Sequence, residues 1–121
     1  MSEQLFFFDT YAFFELIRGN PLYKRFEGAS AITTIFNLAE LNYSLKKEKG
    51  KSLADKITKL YELLLVDVTL QDVLEAMDLK VKNKRLSIPD AIGYIVAKRN
   101  NAKFLTGDKE FENMPNVEFV K

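Results

Sequence analysis

The chain has 121 residues, 47% of them apolar and ten of them phenylalanine, with a formal net charge of +1. It has no cysteine and no histidine. This excludes disulfides, thiolate chemistry, zinc-finger sites and every catalytic arrangement built on a histidine base. A chain of this length predicts one domain over 1–121, burying roughly two-thirds of its unfolded surface.

Residues 4–8 (QLFFF) form a continuous apolar run ending at Asp9, which predicts a short buried strand. Apolar residues at 12, 13, 14, 16 and 17 predict a helix from Tyr11 to Arg18, stopped by GNP, and Pro21 to Phe26 reads as a second short helical piece. Ala31 to Thr34 reads as a strand, with Thr34 placed to cap a helix from Ile35 to Lys49 that ends at Gly50. Ser52 is the expected cap of the next helix, Leu53 to Leu64, and Leu65 to Val68 is the expected third strand. Apolar residues at 70, 73, 74, 77 and 81 predict a helix from Leu70 to Asn83. Pro89 opens another at its first turn, where a missing N–H costs nothing, and its interior AIGYIVA is apolar on nearly every face. Lys103 to Thr106 is a fourth strand, GDKEF a helical turn and Val117 to Val120 a last strand.

Short apolar strands alternating with helices predict a three-layer α/β/α fold with a central parallel sheet of four to five strands. The phenylalanines at 6, 7, 8, 13, 14 and 26 are expected in its core, while Phe14, Tyr11, Leu16 and Ile17 are alternative linings for a partner groove. The longest apolar runs fall far short of the roughly 20 residues of a membrane span, and no signal-like pattern opens the chain. No membrane contact and a cytoplasmic location are therefore expected.

Ligands of such sheets bind outside the carboxyl ends of the strands. Asp9 and Asp108 directly follow strands and belong at that edge; Asp90 starts a buried helix and Glu40 lies about a turn into another. Each aspartate alone reads equally as a helix cap or dipole partner worth about 0.5–2 kcal/mol. Glu40 falls at the border of an apolar arc beside Phe36 and Tyr43, so periodicity leaves a solvated position open. Together the acids weigh more, because two carboxylates about 5 Å apart repel by roughly 3 kcal/mol at an effective dielectric near 20. Such a cluster raises its own pKa values or needs a cation. Oxygen ligands without histidine or cysteine suit Mg²⁺ or Mn²⁺, which activate water and stabilise charge on a phosphoryl group.

The segments FFFDTYAFFELI, ITTIFNLAELNYSL, LSIPDAIGYIVAKRNNAKFLTGDKEF and NVEFV resemble a PIN domain of the VapC toxin type, in order and over essentially the whole chain. The combination of an apolar run ending in aspartate, an internal-helix glutamate, PDAxxxxxA and TGDxxF carries the resemblance. It implies an Mg²⁺- or Mn²⁺-dependent ribonuclease whose acidic positions are matched by Asp9, Glu40, Asp90 and Asp108. By the same implication Asp9, Asp90 and Asp108 hold metal, and Glu40 completes the cage or orients the attacking water. Thr106 matches a supporting polar position, Thr10 a small hydroxyl after the first aspartate, and Glu110 a place where some members carry another acid. Tyr11 departs from the small or amide residue frequent there. The resemblance also implies an RNA substrate, a small antitoxin whose tail occupies the active site, and a homodimer.

Near-neutral net charge supplies no global field for RNA, so its phosphates would need a local patch. The clusters Lys46, Lys47, Lys49, Lys51 and Lys80, Lys82, Lys84, Arg85 qualify, each reading also as a solvated face. Lys82, Lys84 and Arg85 lead directly toward Asp90 and are the preferred candidates. A receiver domain would carry an acidic pair after its first strand, and a dehalogenase-like phosphatase a DxD; this chain has DTY. The stronger rival is a catalytically silent PIN-like module that binds RNA or protein.

Overall fold

The computed structural model describes residues 3–121. Its sheet contains β1 (Phe6–Phe8), β2 (Ala31–Ile32), β3 (Lys103–Thr106) and β4 (Val117–Phe119), all parallel, in the order β2-β1-β3-β4. Around it lie α1 (Thr10–Arg18), α2 (Ile35–Lys49), α3 (Lys51–Lys59), α4 (Leu70–Lys82) and α5 (Ile88–Arg99). Tight 3₁₀ turns occupy Pro21–Phe26, Glu62–Leu64 and Lys109–Phe111.

Successive strand residues point to opposite faces, and here both faces are covered. Phe7 and Phe104 enter one core with Ala76, Ile92 and Val96 from α4 and α5. Phe8 and Leu105 enter the other with Ala12, Phe13, Leu38 and Leu41 from α1 and α2. This two-sided burial explains why the strands are continuously apolar rather than alternating, and it is the predicted three-layer arrangement. Phe6 and Phe14 are half-buried against the second core. So are Tyr11, Leu16 and Ile17, and Phe14 and Ile17 also line a hollow of about 420 Å³ with Arg18, Leu45, Glu48 and Lys49.

Two expectations fail. The strand foreseen at Leu65 to Val68 shrinks to a single parallel bridge between Leu65 and Thr33, leaving four strands. The backbone beyond it is committed elsewhere. The Asp67 carbonyl accepts from Arg99, and Thr69 enters a capping box with Asp72 that starts α4. The helix foreseen from Leu53 to Leu64, with Ser52 as its cap, instead begins at Lys51 and ends at Lys59. Gly50, at φ +83°, reverses the chain directly between α2 and α3, so Ser52 falls inside the first turn and caps nothing. Its far end tightens into i→i+3 bonds from Leu60 and Tyr61, with the Tyr61 ring 4.5 Å from that of Phe13. Among the described residues no helix is long and apolar enough to cross a membrane.

One close approach sets the position of α5. A Cβ at Gly93 would lie 2.8 Å from the Phe7 ring and 3.3 Å from Asn37 Oδ1. Only a glycine lets the helix sit this near β1 and α2. The far ends of α4 and α5 are tied by Arg99, which grips buried Asp72 through two bonds of 2.9 Å.

Candidate active site

The chain leaves β1 toward β2 on one side and β3 toward β4 on the other, so the crevice between β1 and β3 is the topological switch point. Asp9 follows β1 and Asp108 follows β3 by one residue beyond Gly107. The N-terminus of α5 brings Asp90 to the same edge, and Glu40 reaches it from the second turn of α2.

Asp9 does cap α1: its Oδ1 accepts the Ala12 N–H at 2.8 Å. A cap normally sits in water, however, and Asp9 is 1% exposed. Burial drives its pKa well above the carboxylate range. Hydrogen bonds from Thr106 and Ala12 pull it back, and the charges of Asp90 and Asp108 push it further up. Asp90 is raised to about 6, first by burial, then by the charge of Glu40, with Ser87 opposing and Asp108 adding to the rise. Asp108 caps the turn after β3, its Oδ1 accepting the Glu110 N–H at 3.0 Å.

Two threonines orient this group. The fully buried Thr106 hydroxyl accepts the Asp108 N–H at 3.0 Å and bonds to Asp9, linking the ends of adjacent strands. The Thr10 hydroxyl donates to Glu40 Oε1 at 2.7 Å, turning that carboxylate toward the β1–α1 corner. Glu110 faces Arg85 at 3.6 Å instead of the other acids. Lys80 is spent on its own loop, donating to the Leu86 and Lys84 carbonyls, while Lys82, Lys84 and Arg85 are exposed.

Two neighbours escaped the sequence reading. Ser87 caps α5 by accepting the Asp90 N–H at 3.1 Å, a role signalled by a serine two residues before Pro89. Asn37 is fully buried one turn before Glu40, and its Nδ2 has no partner among the described residues. Its facing of Gly93 places the α2–α5 contact one turn below the Glu40–Asp90 pair.

Among the described residues, none of the four acids is paired with a lysine or arginine, and no three acidic side chains converge into a ready-made cage. Carboxylate and hydroxyl oxygens without a counter-charge fit a hard divalent cation that keeps much of its water, as Mg²⁺ does. An apolar groove of about 350 Å³ lined by Ile35, Leu38, Ala39 and Leu65 contains none of the four acids.

Gly107 closes the back of the edge. A Cβ there would fall 2.4 Å from the Tyr11 ring and 2.4 Å from the Val120 carbonyl oxygen. The ring at position 11 is accommodated because position 107 has no side chain. Gly107→Ala is expected to cost about 1–3 kcal/mol, read by chemical denaturation. An unchanged midpoint would mean that Tyr11 moves freely.

Comparison with known proteins agrees with this fold. Among solved structures, VapC20 of Mycobacterium tuberculosis, described as a Sarcin-Ricin loop cleaving toxin, is similar at 21% identity and a TM-score of 0.78, covering 98% of this chain and 100% of that one. A toxin-antitoxin complex from Klebsiella pneumoniae has 20% identity, a TM-score of 0.73 and coverage of 93% and 95%. VapBC2 from Rickettsia felis, bound to a promoter DNA fragment, has 17% identity, a TM-score of 0.72 and coverage of 97% and 98%. At these identities the likeness concerns the fold. No curated protein matches the sequence significantly. The family model of the PIN domain matches residues 6–117, a span that contains all four acids and their supports, and the chain belongs to the PIN domain family.

Proposed function

We propose that this chain is a divalent-metal-dependent endoribonuclease of the VapC type, the toxin of a toxin–antitoxin pair. The observation that carries the reading is the pair Asp9 and Asp90. Asp9 is buried and Asp90 partly buried, and both are raised in pKa, by burial first and then by acidic neighbours, at the switch point. Keeping such groups together costs stability, a cost that a bound cation would offset.

Asp9, Asp90 and Asp108 would hold Mg²⁺ or Mn²⁺, with Glu40 completing the set or orienting the attacking water. When bound, the ion supplies activation of water and stabilisation of charge on the phosphoryl group. Thr106 fixes Asp9 and Thr10 fixes Glu40, so the carboxylates meet the substrate already oriented. Lys82, Lys84 and Arg85 are placed to take RNA phosphates, Arg85 exchanging Glu110 for phosphate as it does so. Glu110 is a supporting residue in this scheme. One domain over 1–121, a cytoplasmic setting, a homodimer and a cognate antitoxin complete the proposal, supported by structural neighbours that include toxin-antitoxin complexes.

A second reading, a PIN module that binds RNA without cutting it, is favoured by the failure of any three acids to converge among the described residues. Incubating a mixed-sequence RNA with the protein in EDTA, Mg²⁺ or Mn²⁺ separates the two. Metal-dependent cutting that an identically purified Asp90→Asn protein lacks supports the nuclease. Retention of RNA with no cutting in either metal, extended to structured RNAs, supports the silent module.

A further inference from the structure

Among the described residues only two aromatic side chains are substantially exposed, Phe36 at 39% and Tyr43 at 65%. Both lie on α2, at four residues before and three residues after Glu40. Positions i−4, i and i+3 share one face of a helix, so the two open rings flank the carboxylate that faces Asp90. The same face continues to Lys47, whose Nζ stands 4.6 Å from the centroid of the Tyr43 ring. Lys46 and Lys51 are engaged by Asp55, but Lys47 enters no ion pair among the described residues and keeps its charge for a ligand. Every other tyrosine and phenylalanine is buried or partly buried.

A largely exposed ring with the Lys47 ammonium over one face offers what single-stranded nucleic acid requires: a further π-face for a base and a cation for the adjoining phosphate. We propose that Tyr43 is a stacking platform for one unpaired base of the substrate, with Lys47 holding the neighbouring phosphate and Phe36 bounding the strand beyond Glu40. This rests on the nuclease reading and deepens it. The substrate class becomes RNA whose bases near the cut are unstacked, in a loop or single strand, and Tyr43 becomes a residue that decides which RNA is accepted. The lysine is what favours nucleic acid over an apolar protein surface, since burying an unpaired ammonium against such a surface is unfavourable.

The chain contains no tryptophan, so Tyr43→Trp places a single indole reporter on the face. The protein is titrated in EDTA, which separates binding from cutting, with a mixed-sequence single-stranded RNA, its abasic counterpart and a blunt RNA duplex. Saturable quenching by the single strand, much weaker quenching by the abasic strand and the duplex, and a loss of affinity of about 10-fold in Tyr43→Ala but under about 2-fold in Tyr43→Phe are expected. Equal affinity of Tyr43→Ala and the unaltered protein for the single strand would overturn the proposal. So would equal quenching by the abasic strand. A blue shift that grows with protein concentration and is indifferent to RNA would overturn it in favour of a protein contact.

Failure here and failure of the nuclease reading are distinguishable. If Tyr43→Ala cuts RNA with unchanged KM and kcat, stacking falls and the nuclease stands. If the unaltered protein quenches as expected but cuts nothing in any metal, stacking stands and the nuclease falls.

Discussion

Asp90→Asn is expected to slow metal-dependent RNA cleavage roughly 10²–10³-fold, the scale of removing one preorganised electrostatic group from an active site. The same protein is expected to be more stable than the unaltered one at neutral pH. The two effects have one origin. Asp90 is raised to about 6 by burial and by the charges of Glu40 and Asp108, so its ionised form is held against its preference. Asparagine keeps the shape and the Ser87 cap to its N–H, which is a backbone bond, while removing the charge. The relief is at most about 2–3 kcal/mol, or several degrees in Tm for a chain of this size. Thermal unfolding in EDTA at pH 7.5 beside a cleavage assay gives both quantities. Unchanged cleavage would remove Asp90 from the mechanism, and a lowered Tm would make its role structural.

Stripped of divalent metal, the unaltered protein should lose stability as pH rises from about 4 through 6. Asp90 and Asp9 are raised in the folded state, so the folded protein binds their protons more tightly than the unfolded chain does. Their contribution is complete below the ordinary value of 3.8 and disappears as pH passes about 6 for Asp90 and as it rises through the raised value of Asp9. Asp72 works in the opposite sense. Burial raises it, but bonds from Arg99 and Thr69 outweigh that and leave it below its ordinary value, so its contribution is lost in acid. The metal-free optimum is therefore expected near pH 4–5. Mg²⁺ should raise Tm strongly at pH 7.5 and little at pH 5, where protons compete for the same oxygens. A flat profile between pH 4 and 7 in EDTA would mean that solvent reaches the acids after all.

The parts of the fold legible in the sequence are those written in local pattern. Lys103 to Thr106 appears with the predicted ends because its apolar run is bounded by a turn on each side. Thr34 caps α2 as its position suggested. Leu65 to Val68 misled because its composition suits a strand, whereas its hydrogen-bonding partners are chosen by Arg99 and by the box at Thr69. Ser52 misled because serine is a good cap and nothing local reveals that Gly50 has already turned the chain. In the site, strand ends located Asp9 and Asp108. The bond from Thr10 to Glu40 spans 30 residues of sequence and the one from Arg99 to Asp72 spans 27, and no periodicity encodes such meetings.

Gly93 decides more than how closely a helix packs. Because α5 rests on the Phe7 ring and on Asn37 with no side chain between, the separation of Asp90 from β1 and α2 is set by dry contact between solids. Dissolved salt weakens the repulsion among the acids without lengthening that separation, since what it screens is charge and not contact. A frame with fixed dimensions sorts cations by radius. If these acids hold a metal as proposed, such a frame would suit an ion content with a few short bonds in octahedral array and would serve poorly a larger one such as Ca²⁺ that asks its ligands to spread.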